Sequence, residues 1–361
     1  MTIYFFITSL GGGGAERVVS NLANFLVGKG NRVAIIVLRG DEQVYHLENE
    51  VTVDYLQPYY YREKGLLYRF KEIARLIRCF RNLSKDSILV SFLELPVAFS
   101  LFFRKLIKGK LVICERNNPL FYSKGYQRIF KYLAYKTDGI VCQTSEIATW
   151  YKPFVGDYSQ LAIIPNSVNQ ELLSAPYSLR NNRNIITIGR LTMQKNQKML
   201  IESFAEIAPK FPDWQLIIYG DGPLRSELEG LATNLGIRQR VKFPGFTSNI
   251  IGALQDANVF VLTSNHEGMP NALAEAMAMG LTCISTDCGG GGAKELINNG
   301  VNGILIPKDN INELVKALER TLGKTASSRE MAKEAIKIRQ KLDPIAIHTK
   351  WEEYFSSINN S

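Results

Sequence analysis

The chain has 361 residues, 46% hydrophobic and 21% charged, which is typical of a soluble globular protein with about two domains. Five cysteines without C-x-x-C spacing and only three histidines indicate neither a disulfide framework nor a zinc site, and favour a reduced, cytoplasmic compartment. The net charge of +9 is uneven: residues 1–165 carry 22 Lys and Arg against 14 Asp and Glu, whereas residues 166–361 carry 21 against 20. This asymmetry predicts that the two halves meet different partners.

In the first half, short β-rich segments alternate with segments of helical length. The predicted strands are residues 3–8, 32–38, 51–55, 87–92, 110–114, 139–142 and 160–164, and helices are predicted at 15–29 and 66–83. No stretch reaches the roughly 18 uninterrupted apolar residues of a transmembrane helix, and the apolar start lacks the basic leader of a signal peptide. Alternating strand and helix predicts a parallel, doubly wound sheet, so residues 1–165 are predicted to form one Rossmann-like domain.

A polar stretch then interrupts the pattern, and residues 166–183 are the predicted linker. Strands are predicted at 185–188, 215–219, 241–243, 259–262, 282–285 and 303–306, with helices at 196–208, 224–235, 271–279, 311–322, 327–340 and 343–358. We expect a second Rossmann-like domain over 184–342 and a C-terminal helical segment, 343–361, packed back on the first domain. Two such domains would place a ligand cleft between the C-terminal ends of their strands.

The glycine run 11–14 follows the first strand and opens the first helix, where backbone N–H groups can receive a phosphate. It does not match a dinucleotide fingerprint, because the third glycine would fall on Glu16 or Arg17, and the ending of a P-loop is absent. This spacing disfavours a Rossmann dehydrogenase. A flexible turn and the close approach of a ligand both fit the run, and four consecutive glycines favour the ligand.

Two cations follow the first strand of the second series. Arg190 and Lys195 lie between that strand and the next predicted helix, so both side chains can face a ligand beside a helix N-terminus. Such a pair suits a diphosphate and would neutralise the charge that develops when it departs. Two solvated surface cations are the alternative.

Two carboxylates flank the segment from Glu267 to Glu275. Gly268 and Pro270 mark a tight entry into a helix, and Glu275 lies one to two turns inside it, on an otherwise apolar stretch. A buried carboxylate needs hydrogen-bond donors, and a diol such as ribose supplies them. Glu267, at the helix entrance, could accept bonds from sugar hydroxyls. An ordinary loop acid and an interior carboxylate with protein partners remain the alternatives.

The order of these motifs resembles family-four glycosyltransferases of the GT-B fold, above all bacterial enzymes that extend glycolipid-linked O-antigen, capsule or N-glycan precursors. The resemblance spans nearly the whole chain, and its specific part is the pairing of R-x4-K with E-x7-E. It is carried by Gly13-Gly14-Ala15-Glu16, Gly189-Arg190 with Lys195-Asn196, Gly220-Asp221-Gly222-Pro223, Gly245-Phe246, and Glu267-Gly268 with Glu275.

The resemblance implies a role for each matching residue. Arg190 and Lys195 would hold the donor diphosphate, helped by Gly13 and Gly14, and Glu275 would hold the ribose. Glu267 would orient the sugar, and Phe246 would lie against the base. The remaining implied donor contacts are the backbone around Gly268, Met269, Pro270 and Asn271, and Asp221 and Gly222 near the base.

Arg116 departs from the family pattern, because many relatives have a histidine after the acid at this strand end. Arginine cannot act as a base at neutral pH, so Arg116 would instead steady the acceptor or its phosphate. A structural ion pair with Glu115 or a neighbouring residue is the alternative. The chain contains no Asp-x-Asp sequence, so neither a metal nor another cofactor is expected, and a helix dipole with two cations would stabilise the leaving diphosphate.

Three segments of the basic half combine cations with aromatic residues: 66–81 with Arg69, Arg75, Arg78 and Arg81, then 101–110 and 121–135. Basic amphipathic helices with aromatics can lie on anionic lipid, although each alone also fits a packed helix with a solvated face. We therefore expect a peripheral contact with the inner face of the plasma membrane. Nucleic acid is disfavoured, because no nucleic-acid-binding module accompanies the charge.

Together these features predict a retaining glycosyltransferase that moves a hexose or N-acetylhexosamine from a nucleotide sugar, UDP-linked by expectation, to a saccharide on a polyprenyl-diphosphate carrier. The alternatives are a GT-B-like sugar-nucleotide epimerase and a non-catalytic nucleotide-sugar-binding protein.

Overall fold

The computed structural model describes residues 1–57, 66–155, 161–176, 182–323 and 325–360. Their strands are β1 Thr2–Ile7, β2 Arg32–Val37, β3 Thr52–Tyr55, β4 Ser87–Phe92, β5 Lys110–Glu115, β6 Gly139–Cys142, β7 Leu161–Ile163, β8 Asn184–Ile188, β9 Gln215–Tyr219, β10 Val241–Gly245, β11 Val259–Leu262, β12 Thr282–Asp287 and β13 Ile304–Pro307. Each predicted strand is present with its ends within two residues, and the predicted start at Gln160 lies outside the described residues.

The α-helices are α1 Gly14–Gly28, α2 Leu66–Asn82, α3 Glu94–Phe102, α4 Lys124–Leu133, α5 Ser145–Tyr151, α6 Gln170–Ser174, α7 Gln197–Ile207, α8 Arg225–Asn234, α9 Ile250–Gln255, α10 Asn271–Ala278, α11 Gly292–Leu296, α12 Ile311–Gly323, α13 Thr325–Ala335, α14 Ile338–Lys341 and α15 Pro344–Asn360. The chain forms two compact units, Met1–Ser167 with Ile345–Ser361, and Val168–Pro344.

Each unit is built on one sheet in which every paired strand is parallel. The first sheet has the order β3-β2-β1-β4-β5-β6-β7, and the second has the order β10-β9-β8-β11-β12-β13. Helices cover both faces of such a sheet, so its central strands read as continuous apolar runs: all six residues of β4 and all four of β11 are buried. Both units are therefore doubly wound α/β domains, which confirms the predicted fold class.

The core of the first unit is completed from the far end of the chain. Ile347, Trp351, Phe355 and Ile358 of α15 are buried in the apolar cluster that includes Phe92 of β4. The ring centroids of Phe92 and Trp351 lie 6.3 Å apart. The chain thus leaves the first unit after Ser167 and returns to it after Pro344.

The predicted linker, 166–183, is only partly irregular. It contains α6, and Val168, Leu172 and Ala175 are buried in the core of the second unit. Residues 168–175 of the predicted linker are therefore part of the second unit, because these apolar side chains pack in its core. Residues 177–181 of the predicted linker lie outside the described residues.

Candidate active site

The motif residues of the second unit lie at one edge of its sheet, because parallel strands end on the same side. Backbone hydrogen bonds tie the loops after β8, β9 and β10 together. Gly189 N donates to Tyr219 O at 3.0 Å, Leu191 N to Asp221 O at 2.9 Å, and Gly220 N to Gly245 O at 2.8 Å. Gly220 has a φ of +130° that favours glycine, and a side chain there would collide with the Gly189 carbonyl.

Lys195 and Glu267, predicted from separate motifs, form an ion pair at this edge. Lys195 Nζ lies 2.5 Å from Glu267 Oε1, and Ser264 Oγ donates to the same oxygen at 2.6 Å. The Glu267 side chain is 9% exposed and that of Lys195 20%, so solvent screens the pair only partly. Lys195, Glu267 and Ser264 therefore form a charge-assisted, three-membered cluster at this edge of the second sheet.

Thr263 holds the turn that carries Lys195. Its Oγ1 donates to Lys195 O at 3.1 Å and to Asn196 O at 2.9 Å, and Asn196 has the left-handed φ of +47°. Gln194 Nε2 donates to His266 O at 3.0 Å, and Asn265 N donates to Gln194 O at 2.7 Å. The loops that carry Lys195 and Glu267 are thus bonded to each other at several points.

His266, immediately before Glu267, is half-buried. Burial lowers the pKa of its imidazole, while Glu267 opposes and Lys195 and Lys308 reinforce that decrease. The imidazole is consequently neutral at physiological pH and contributes no charge to the cluster.

The entry to α10 is held against a glycine of another loop. Pro270 is the N-cap of α10, and its carbonyl accepts from Leu273 N at 3.1 Å and from Ala274 N at 3.2 Å. A side chain at Gly292 would overlap the Gly268 carbonyl and lie 2.7 Å from Pro270 Cδ. Met269 is buried, and Asn271, the first residue of α10, is half-buried.

Glu275 lies on α10 and is 3% exposed, so the predicted interior carboxylate is present. Apart from Asn271, the other residues of α10 are apolar, and most of them pack among Phe260, Leu262 and Cys283 of the core. Ionised, such a group must be solvated by hydrogen bonds rather than by water.

The remaining predicted donor residues of the second unit are accessible. Arg190 is exposed, and its carbonyl, not its guanidinium, is held by Gln197 Nε2 at 3.0 Å. Asp221 Oδ1 accepts from Gly222 N at 2.8 Å, and the Asp221 side chain is 65% exposed. Phe246 is 68% exposed directly after Gly245 of β10. An exposed phenyl ring at a strand end offers a flat apolar face for a planar ligand.

In the first unit, Gly13 is the N-cap of α1 and Gly14 its first residue. Gly12 before them has a φ of +92°, so the turn itself demands glycine there. Gly13 O accepts from Arg17 N at 3.2 Å, and no side chain caps the helix start. The Glu16 carboxylate of the first turn lies against Gly13, where an added Cβ would collide with Glu16 Oε2. The phosphate contact at Gly13 and Gly14 stays a prediction.

Glu115 is the last residue of β5 and Arg116 follows the strand, but the two side chains do not pair with each other. Glu115 is buried and accepts from the Tyr122 hydroxyl, from Tyr151 Oη at 2.7 Å, and from the backbone N–H groups of Arg116 and Asn117 at 2.9 and 3.1 Å. Burial raises the pKa of Glu115 to about 7, although these four donors act in the opposite direction.

The Arg116 guanidinium lies between protein groups instead. Its Nη1 donates to Asn166 Oδ1 at 2.8 Å, and its Cζ lies 4.9 Å and 5.5 Å from the ring centroids of Phe92 and Trp351. Within the described ranges Arg116 forms no ion pair, so the alternative of a structural pair with Glu115 is wrong. The Glu115 carboxylate instead accepts from two tyrosine hydroxyls and two backbone N–H groups.

Among the residues that the structure describes, no group of three or more His, Cys, Asp or Glu side chains could hold a metal ion. Over the same part of the chain, no helix has the length and apolar character needed to cross a bilayer.

Comparison with known proteins places this architecture in a family. A sequence profile described as Glycosyltransferase Family 4 matches residues 12–172, and one described as Glycosyl transferases group 1 matches residues 170–338. The two matches join near the point where the chain passes from the first unit to the second. The chain belongs to glycosyltransferase family four and is a glycosyltransferase, as its motifs predicted.

Two bacterial relatives match nearly the whole chain. It is 29% identical over 365 residues to the GalNAc-alpha-(1->4)-GalNAc-alpha-(1->3)-diNAcBac-PP-undecaprenol alpha-1,4-N-acetyl-D-galactosaminyltransferase of Campylobacter jejuni, covering 100% of both chains. It is 28% identical over 353 residues to the N-acetylgalactosamine-N,N'-diacetylbacillosaminyl-diphospho-undecaprenol 4-alpha-N-acetylgalactosaminyltransferase of the same organism, covering 93% of this chain and 94% of the relative.

Solved structures match the fold. HepE of Anabaena, in complex with UDP-glucose, superposes with a TM-score of 0.83 at 20% identity, covering 99% of this chain and 100% of the other. Sucrose-phosphate synthase from Thermosynechococcus elongatus gives a TM-score of 0.84 at 19% identity, covering 99% and 98%. The fold is thus GT-B, with two parallel-sheet Rossmann-like domains.

Sequence reasoning missed Thr263, Ser264 and Gly292. Each acts on a motif residue through a contact that depends on the folded loops, and a lone Ser or Thr after a strand is too common to single out. The one usable signal was the tetraglycine run 289–292, which, like the run 11–14, follows a strand and precedes a helix.

Proposed function

We propose that this glycosyltransferase transfers a hexose or N-acetylhexosamine, with retention of configuration, from a UDP-linked donor to a saccharide carried on a polyprenyl diphosphate. The observation that carries the proposal is the cluster of Lys195, Glu267 and Ser264. Exposed Arg190 lies on the same loop as Lys195, and buried Glu275 lies on α10, which follows Glu267 in the chain. These elements supply cations for a diphosphate and carboxylates for hydroxyl groups.

The donor part of the proposal is supported by chemistry and by the structural neighbours. Arg190 and Lys195 are the right charges for a diphosphate, and Phe246 offers its ring to a base. HepE was solved with UDP-glucose, and another complex of the same protein contains UDP and glucose. We assign the ribose to Glu275, the sugar to Glu267 and the loop 268–271, and a further phosphate contact to Gly13 and Gly14.

The acceptor part rests on the relatives. The two Campylobacter jejuni enzymes are named for undecaprenyl-diphosphate-linked saccharides, and an Escherichia coli relative, 32% identical over 178 residues, is named UDP-Gal:alpha-D-GlcNAc-diphosphoundecaprenol alpha-1,3-galactosyltransferase. That match covers 45% of this chain and 46% of the relative. We assign acceptor contacts to the first unit, where Arg116 provides a cation without an ion-pair partner among the described residues.

In the proposed mechanism, the bond between the anomeric carbon and the diphosphate oxygen breaks first. Lys195 and Arg190 stabilise the negative charge that develops on that oxygen, without a metal or other cofactor. The acceptor hydroxyl attacks from the face that the diphosphate leaves, and its proton passes to the departing phosphate. The protein mainly supplies orientation and charge stabilisation.

The test uses the purified full chain with UDP- and GDP-sugars and a short-chain polyprenyl-diphosphate disaccharide. We expect release of UDP only when acceptor is present, and an α-linked product by NMR from an α-linked donor. Epimerisation of the donor's sugar in the absence of acceptor would instead establish an epimerase. Donor binding without turnover would establish a binding protein. A β-linked product would refute retention.

Two variants test the residues themselves. Lys195→Met should reduce transfer by about 10²-fold or more, the size expected when one stabiliser of a developing charge is lost. Glu275→Gln should weaken donor binding, because an amide accepts fewer hydrogen bonds from a diol than a carboxylate does. Lys198→Met is the matched control for lysine, since its side chain is 59% exposed on α7 and pairs with Glu202. Transfer at the wild-type rate in Lys195→Met would contradict the assignment.

We further propose that the first unit binds the inner face of an anionic membrane. Exposed apolar and aromatic side chains accompany the cations of α4 and of the segments that follow α3 and α4. They are Phe102 at the end of α3, Leu120 and Phe121 in the turn before α4, and Tyr132 and Tyr135 at and after the end of α4. The helix α2 adds exposed Arg78 and Arg81, whereas the side chain of Arg69 lies outside the described residues. Each surface cation near anionic lipid contributes about 1 kcal/mol.

Arg78→Glu with Arg81→Glu tests this contact. Arg75 is unsuitable, because its Nη1 donates to Leu56 O at 2.8 Å and its loss would disturb the fold. The double variant should no longer sediment with phosphatidylglycerol vesicles. Lys316→Glu with Lys333→Glu makes the same charge change on exposed helices of the second unit and should leave sedimentation intact. Equal loss in both variants would show a nonspecific charge effect.

A further inference from the structure

Ser264 and Thr263 follow β11 directly and act on different motif residues. Ser264 is fully buried, and its hydroxyl donates a hydrogen bond to Glu267 Oε1 at 2.6 Å. Thr263 donates to the carbonyls of Lys195 and Asn196. One dipeptide therefore fixes both the turn that carries the cation and the carboxylate that pairs with it.

The hydrogen bonds on Glu267 are divided unequally between its two oxygens. Oε1 accepts hydrogen bonds from Lys195 Nζ and from Ser264 Oγ, whereas Oε2 accepts none from the described residues. A carboxylate that is held through one oxygen presents the other in a fixed direction. The serine thus determines which oxygen remains available.

The position of Ser264 is itself fixed by its neighbours. Its carbonyl accepts from Thr286 Oγ1 of β12 at 2.7 Å, and Glu267 N donates to Gly289 O at 3.2 Å. Thr286 is also buried. The hydroxyl is therefore held on a rigid strand end and cannot readily turn elsewhere.

We propose that Ser264 is a positioning residue for donor recognition: it holds Glu267 Oε1 beside Lys195 so that Oε2 accepts a hydroxyl of the donor sugar. This role rests on the proposed function, and Ser264 itself touches no substrate. Thr263 has a separate role, because the turn that it holds carries the cation for the diphosphate. Loss of Ser264 should impair recognition of the sugar, whereas loss of Thr263 should impair recognition of the diphosphate.

The two roles are separated by measuring Kd for UDP and for a UDP-sugar with the full chain. UDP lacks the sugar, so Ser264→Ala should leave its Kd within about twofold, while Kd for the UDP-sugar rises about tenfold, the effect of one hydrogen bond to a charged group. Thr263→Val should raise both Kd values by a similar factor. The probes are UDP and UDP-N-acetylgalactosamine, with UDP-galactose, UDP-glucose and UDP-N-acetylglucosamine as further donors.

Two controls distinguish positioning from folding. Ser264→Thr restores the hydroxyl and should recover the affinity for the UDP-sugar. Ser285→Ala removes a fully buried hydroxyl from neighbouring β12, one that donates to Thr286 O at 3.1 Å, and should alter neither Kd.

Each outcome of the experiment decides the matter. An equal rise of both Kd values in Ser264→Ala, or an unchanged Kd for the UDP-sugar, overturns the positioning role while leaving the proposed function intact. A wild-type chain that binds neither UDP nor any of the four UDP-sugars overturns the proposed donor, and this role with it.

Discussion

The ion pair between Lys195 and Glu267 allows a quantitative prediction that does not depend on any substrate. The perturbation is a double-mutant cycle with Lys195→Met, Glu267→Gln and the double variant. Both replacements keep the approximate length of the side chain while removing its charge, so the cycle isolates the interaction between the two charges.

The magnitude follows from the geometry of the pair. Removing one partner of a fully buried ion pair costs about 3–5 kcal/mol, because the other charge is left buried. The side chains here are 20% and 9% exposed and Ser264 remains bonded to Glu267, so we expect about 2–3 kcal/mol for Lys195→Met. Glu267→Gln leaves only the more exposed Lys195 unpaired and should cost less. The coupling energy should be about 1–2 kcal/mol.

The assay must report on the second unit alone, since a chain with two units need not unfold in one step. Cys283 of β12 is fully buried in that unit, and its rate of thiol labelling at increasing urea concentration, resolved by mass spectrometry, reports on the opening of the unit. Cys142 of β6, equally buried in the first unit, is the internal control and should label at an unchanged rate. Additivity of the two single variants within about 0.5 kcal/mol would refute the reasoning.

Three further predictions concern packing and charge. Gly292→Ala should weaken donor binding about tenfold or more, because the added methyl group displaces the carbonyl of Gly268 at the entry to α10. Burial raises the pKa of Glu115 from 4.5 to about 7, so between these pH values the folded chain retains a proton that the unfolded chain loses. The free energy of unfolding should therefore fall by about 3 kcal/mol between pH 4.5 and 7.5. Glu115→Gln should abolish that decrease. Arg116→Lys should lower the free energy of unfolding by about 1–2 kcal/mol, because an ammonium group stacks less well on the two aromatic rings.

Each of these has a direct check. Isothermal calorimetry with UDP-N-acetylgalactosamine measures the first, and Gly230→Ala is its control, because a methyl group on α8 meets no atom within 4 Å. Unaltered affinity for the UDP-sugar in Gly292→Ala would contradict the packing argument. Urea denaturation at several pH values measures the second, and a wild-type curve that is flat over this range would contradict the pKa assignment. Urea denaturation at one pH measures the third, with Arg78→Lys as the matched exchange at an exposed position of α2.

The strands could be predicted from sequence because burial on both faces produces continuous β-branched and apolar runs such as those of β4 and β11. Short helices were harder: α5 and α9 have fewer than two full turns of periodic pattern, and their ends are defined by the caps Thr144 and Asn249, which also occur in ordinary turns. The apolar residues of α6 were too few to outweigh the polar residues around them.

The candidate site also has features that sequence predicts and features that it does not. Charged residues that follow buried strands, such as Lys195 and Glu267, could be predicted, because a charge next to an apolar strand is conspicuous in the sequence. Their contact joins residues 72 positions apart, and only the folded loops reveal it. The absence of an ion pair between Glu115 and Arg116 also became visible only in the folded chain, where two tyrosine hydroxyls and two backbone N–H groups bond the Glu115 carboxylate.

The return of α15 to the first unit has a consequence for the order of folding. The second unit is a continuous segment, Val168–Pro344, so it can complete its core during synthesis as soon as that segment is available. The first unit must wait for Trp351 and its neighbours, which enter a core begun more than three hundred residues earlier. Until α15 docks, the apolar face around Phe92 remains uncovered, and a nascent chain has to be kept from aggregating through that face while its other half is already folded.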